Sequence, residues 1–81
     1  KPGCTKGRMV LTYQPDTGFL EEGAVFRAEE VGFAVGEAAR AGRLSCLIIE
    51  AVAYDRAMFT KLRDEYAVPN DVTLMWIPKS P

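Results

Sequence analysis

The sequence predicts an α+β domain in which a small mixed sheet of about four strands carries two helices on one face. Three observations lead to this fold class. β-forming residues cluster in four segments, two other segments place apolar residues at three- and four-residue spacing, and Gly, Pro and Asp separate them. The predicted order is β-β-α-β-α-β. The 81 residues form one domain, 8–81, preceded by a flexible arm, 1–7.

Residues 8–13 are predicted to form the first strand, because residues 9–13 are all strand formers. The turn that follows contains Pro15, which fixes φ, and Gly18, which accepts a positive φ. Residues 19–26 fit either a return strand or the start of a long helix. That helix would contain three glycines, each costing about 0.5 to 1 kcal/mol relative to alanine, so we favour the strand.

The first helix is predicted over residues 29–41, because acidic residues open the segment and Gly42 follows it. Val31, Val35 and Ala38 fall on one stripe of this helix, which we expect to face the core. Residues 44–54 then form a long run that is apolar on both faces for most of its length. This pattern is typical of a central strand.

Asp55 lies where the N-cap of a second helix is expected, and apolar residues then recur at helical spacing as far as Tyr66. The segment 67–71 breaks this helix, and residues 72–77 are predicted to form the last strand, with Trp76 in the core. With both helices on one face of the sheet, the other face is left partly open. Such a face is either tolerated or covered by a partner.

The charge balance argues against a polyanionic partner. Ten basic and eleven acidic residues leave a formal charge of −1, which creates no overall field toward nucleic acid or an anionic membrane. No apolar stretch approaches the roughly 20 residues that a membrane-spanning helix needs. We therefore expect no membrane association. Weak, non-specific nucleic-acid binding through Lys1, Lys6 and Arg8 is kept as an unlikely alternative.

The chain contains no histidine and only two cysteines, Cys4 and Cys46. The missing histidine excludes Ser-His and Cys-His nucleophile pairs, and the cysteine spacing does not suit a zinc site. No glycine opens a helix directly after a strand, so no phosphate-binding loop is predicted and no cofactor is expected. So few cysteines favour a reducing, cytoplasmic location, although a single disulfide remains open.

Three polar residues at the end of the interior strand form the candidate ligand site. Glu50 and Tyr54 share a face of the predicted strand, and Asp55 follows directly. In open α/β sheets, ligands bind just beyond such strand ends, and a carboxylate among apolar neighbours is suited to acid or base chemistry. The structural alternative is an exposed or ion-paired Glu50 and an Asp55 that only caps its helix.

Phe33 is the other residue that the sequence singles out. On the predicted first helix it lies on the polar face among Glu29, Glu37 and Arg40, opposite the apolar stripe. Aromatic residues in such positions are frequent anchors of protein interfaces, although single exposed aromatics are also common. The leading hypothesis is therefore a small, non-enzymatic protein-interaction domain that acts by self-association or by docking on another protein. Whether the chain is an enzyme stays open.

Overall fold

The computed structural model describes Cys4 and residues 7–81. It has an α+β fold, as predicted, with five strands instead of about four and with two helices. In chain order, the elements are β1 Arg8–Gln14, β2 Gly18–Glu21, β3 Ala24–Phe26, α1 Ala28–Arg40, β4 Cys46–Ala51, α2 Arg56–Asp64 and β5 Thr73–Pro78.

The five strands form one mixed sheet in the order β3-β2-β1-β4-β5. β1 lies in the middle and pairs antiparallel with β2, which pairs antiparallel with β3. β4 lies parallel to both β1 and β5. β4, the strand around Ile48 that was predicted to be central, is hydrogen-bonded on both sides but lies next to the middle strand, which is β1.

The extra strand arises because the predicted return strand, residues 19–26, folds as two strands. Glu22 and Gly23 form a two-residue turn between β2 and β3, with φ values of 48° and 85°. Two successive positive φ values match the right-handed twist of a tight hairpin. Glycine adopts such a φ without strain, but glutamate rarely does, so residue 22 gave little indication of a turn.

Both helices pack on the same face of the sheet, as predicted. Val31 and Val35 of α1 are buried there, which confirms the predicted apolar stripe. The core between the helices and the sheet is built from Leu11, Phe19, Val31, Val35, Leu44, Leu47, Ile49, Met58, Leu62, Val68 and Val72. Since side chains alternate along a strand, the neighbours of these strand residues point to the opposite face, which we call the open face.

β4 is shorter than the predicted strand, residues 44–54. Its last residue, Ala51, pairs with Pro78, where β5 also ends. The backbone N–H of Lys79 donates the last hydrogen bond of this pairing to the Ala51 carbonyl at 3.0 Å, and the chain then leaves the sheet. Trp76, expected in the core, is half-buried at the edge of the core, and its Nε1 donates a hydrogen bond to the Ala51 carbonyl at 3.1 Å.

The helices begin close to the predicted positions. The backbone N–H of Arg27, just before α1, donates to the Glu30 carboxylate at 2.7 Å, which satisfies one of the amides at the start of the helix. α2 follows directly on Asp55. Over Cys4 and residues 7–81, neither helix combines the length and the apolar character needed to cross a membrane.

Candidate functional site

Asp55 caps α2, as the structural alternative predicted. Its Oδ1 accepts a hydrogen bond from the backbone N–H of Met58 at 3.1 Å. A cap of this kind typically stabilises a helix by about 1 kcal/mol. One carboxylate oxygen of Asp55 is thus engaged in holding the start of the helix.

Tyr54 lies beyond the end of β4 and does not share the face of Glu50. Its ring contacts Phe59 of α2, with centroids 5.3 Å apart, and Trp76 of β5, with centroids 5.5 Å apart. These contacts place it on the helix side of the sheet. The expected alternation failed because the chain leaves the sheet after Ala51.

Glu50 instead lies on the open face, in register with Thr12 of β1. The Thr12 hydroxyl donates to the Glu50 carboxylate at 3.5 Å, a long hydrogen bond. The structure therefore brings together only two of the three candidate ligand residues, Tyr54 and Asp55, and separates Glu50 from them.

Tyr54 and Asp55 line a cleft of about 320 Å³ at the carboxyl ends of the parallel strands β1 and β4. The walls are mainly apolar. They are formed by Tyr13, Gln14, Pro15, Ala51, Val52, Ala53, Tyr54 and Asp55. Across Cys4 and residues 7–81, no group of three His, Cys, Asp or Glu side chains is arranged to hold a metal ion.

Phe33 projects away from the core, as predicted, and is 68% exposed. The charged residues around it pair locally on α1: Glu29 with Arg27 at 3.3 Å, and Glu37 with Arg40 at 3.6 Å. These exposed pairs contribute little to stability. Whether Phe33 and its neighbours form an interface stays a prediction.

The open face is a surface whose residues the sequence analysis did not identify. Val10, Ile48 and Met75 lie in register across β1, β4 and β5, in a row that we call the central row. The next row contains Leu20, Val25 and Ile77 around the polar pair of Thr12 and Glu50. The sequence signal was present: each of these strands carries apolar residues on both faces.

Cys4 and Cys46 form a disulfide, which settles the pairing that the sequence left open. Their Cα atoms are 5.0 Å apart. Gly7, the last residue of the predicted arm, is also fixed, because its carbonyl accepts hydrogen bonds from the backbone N–H and the hydroxyl of Ser45. Lys1 and Lys6, proposed for nucleic-acid binding, lie outside the described residues, and Arg8 is exposed at the start of β1.

Three surfaces thus emerge as candidates: the strand-end cleft, the surface around Phe33, and the open face. In the described part of the chain, seven large apolar side chains are exposed, and four of them, Val10, Val25, Met75 and Ile77, belong to the open face. Comparison with profiles of protein families, with curated proteins and with solved structures found no match to this chain.

Proposed function

We propose that this chain is a small protein-interaction domain that self-associates through the open face of its sheet. The observation that carries the proposal is the central row of Val10, Ile48 and Met75, an apolar strip on the face opposite both helices. Val10 is 39% exposed and Met75 is 37% exposed. Ile48 between them is buried, at 5% exposed, so the exposed apolar surface of this face comes from Val10 and Met75 together with Val25 and Ile77. Exposed apolar patches are typical of association sites.

The charges on the open face favour a second copy of the same chain as the partner. Arg8 on β1 lies two residues to one side of the central row, and Glu50 on β4 lies two residues to the other side. A two-fold axis along the row would reverse the strand direction in the second copy. Each strand then lies over its own copy, so Arg8 of one copy lies over Thr12 of the other. Glu50 is the neighbour of Thr12 in the sheet, so Arg8 and Glu50 are offset sideways by one strand spacing, about 5 Å.

The size of the face favours a weak dimer. Five strands at about 4.8 Å spacing give a sheet about 24 Å wide, and the longest strand has seven residues, or about 23 Å. Such a face covers at most about 550 Å², clearly less than the roughly 800 Å² per partner of a standard interface. We therefore expect a dimer that dissociates on dilution.

Val10→Lys should weaken the dimer at least about tenfold, because the axis would bring two lysines together in an apolar contact. The dissociation constant is measured by sedimentation equilibrium on reduced protein, so that no intermolecular disulfide contributes. Phe33→Asp, on the helix side, is the matched control and should leave the constant unchanged. If Phe33→Asp weakens the dimer and Val10→Lys does not, the interface lies on α1 and the open-face proposal is wrong.

A charge exchange tests the two-fold arrangement itself. Arg8→Glu and Glu50→Arg should each weaken the dimer, since each places like charges near each other across the axis. The double variant should restore association, because the reciprocal pairs form again with their signs exchanged. If the double variant loses as much dimerisation free energy as the two single variants together, this arrangement is wrong.

A small-ligand site in the strand-end cleft is the second candidate. Its volume of about 320 Å³ lies at the lower end of the range for ligand pockets. In a thermal-shift screen, a ligand at a hundred times its dissociation constant should stabilise the domain by about 2.7 kcal/mol. Ala53→Trp, which places an indole at this exposed position of the cleft, should abolish the shift. A shift that persists in this variant would place the ligand elsewhere.

A reducing, cytoplasmic setting is part of the proposal. Two cysteines in 81 residues do not resemble the dense disulfide framework of small secreted domains. In such a setting a disulfide is usually transient and sensitive to the redox state. The bond between Cys4 and Cys46 is compatible with that behaviour.

A further inference from the structure

Three sulfur atoms meet on the open face beside the central row. Cys46 of β4 is fully buried and is bonded to Cys4, which is 42 residues earlier in the chain. The Sγ of Cys4 lies 3.2 Å from the Sδ of Met75, and the Sγ of Cys46 lies 3.5 Å from the same atom. Residue 4 therefore rests against one member of the central row.

This position matters for the two-fold arrangement. Cys46 lies two residues from Ile48 on β4, on the same side of the central row as Arg8. With a two-fold axis along the row, β4 of the second copy lies over β4 of the first in the opposite direction, so Glu50 of the second copy lies over Cys46. In the disulfide-bonded form, that place is taken by Cys4. The disulfide and the dimer thus compete for the same part of the open face.

We propose that the disulfide between Cys4 and Cys46 is a redox switch that blocks self-association when closed and permits it when reduced. The proposal rests on the proposed function of the open face. A cellular dithiol of the thioredoxin class is the reductant. One of its thiolates attacks the sulfur of Cys4, the less buried of the two residues, and displaces Cys46 as a thiolate. The second thiol of the reductant then displaces Cys4. The dithiol is oxidised to a disulfide. The two electrons and two protons that it gives up reduce Cys4 and Cys46 to free thiols.

Sedimentation equilibrium on three forms of the full chain tests the switch: the oxidised protein, the protein reduced with dithiothreitol, and Cys4→Ser. Reduced protein and Cys4→Ser should dimerise with the same dissociation constant, and the oxidised protein should do so at least about tenfold more weakly. Equal constants for all three forms would overturn the switch and leave the proposed function standing. Absence of a dimer in every form would overturn both.

A second measurement tests, in the monomer, whether Cys4 shields the sulfur of Met75 when the disulfide is closed. Met75 oxidation by hydrogen peroxide is followed by peptide mass spectrometry at a protein concentration low enough to keep every form monomeric. Met75 should be oxidised more slowly in the disulfide-bonded protein than in Cys4→Ser, because Cys4 covers its sulfur. Met9 of β1 and Met58 of α2, which lie in or against the core on the helix side of the sheet, serve as internal controls and should not change. Equal oxidation of Met75 in the two proteins would contradict masking by Cys4.

Discussion

Replacing Gly32 with alanine should lower the free energy of unfolding by about 2 kcal/mol or more, although alanine is the better helix former by about 1 kcal/mol. A Cβ at position 32 would lie 2.2 Å from the carbonyl oxygen of Tyr66 and 2.9 Å from its Cβ. The segment after α2 therefore passes too close to α1 for any side chain. Overpacking of this kind typically costs about 1 to 3 kcal/mol, and here backbone must move.

Urea denaturation gives the free energy directly, and the thermal midpoint should fall by roughly 10 °C in a domain of this size. Gly36→Ala is the matched control in the same helix. Its Cβ would meet only the flexible end of Arg40, at 3.2 Å. This variant should be unchanged or stabilised by about 0.5 to 1 kcal/mol. If both variants stabilise the domain, the steric conflict inferred between a side chain at position 32 and Tyr66 does not exist.

Arg63→Met should destabilise the domain by about 2 to 3 kcal/mol. The guanidinium of Arg63, on α2, donates to the carbonyls of Pro69 and Val72, the latter at 2.6 Å. Hydrogen bonds from a charged donor contribute about 1.5 to 3 kcal/mol each, and partial exposure reduces this sum. Methionine keeps most of the apolar stem but leaves both carbonyls without the guanidinium.

Arg56→Met provides the control for Arg63→Met, because Arg56 is exposed at the first position of the same helix. It should change stability by no more than about 0.5 kcal/mol. Amide hydrogen exchange locates the effect: protection should fall first in the segment that joins α2 to β5. Equal losses in the two variants would show that the charge matters and the two hydrogen bonds do not.

Local signals account for the elements that the sequence predicted well. The N-cap at Asp55 and the apolar stripe of Val31 and Val35 depend on residues within a few positions of one another, and both are confirmed. The turn at Glu22 was missed because glutamate is unusual at positive φ. The end of β4 was missed because residues 52–54 continue the apolar pattern, and the point where pairing with β5 ends lies in a strand 27 residues further along the chain.

The candidate surfaces depend even more on pairing that a sequence does not display. Glu50 and Tyr54 would share one face only if β4 continued as far as residue 54. The structure places them on opposite sides of the sheet. The central row requires the register of three strands, and the contact between Cys4 and Met75 joins residues 71 positions apart. Apolar residues on both faces of the strands were visible, but their alignment was not.

The strand order also dictates a sequence of events during synthesis. β1, β2 and β3 are joined by short turns, so they can pair as soon as residue 26 is available. The other edge of β1 stays unpaired until β4 has been synthesised, because each residue of β1 pairs with the residue 38 positions later in the chain. Until then the future middle strand of the sheet is an edge strand with unpaired backbone groups. The nascent chain is thus most prone to aggregation between these two moments.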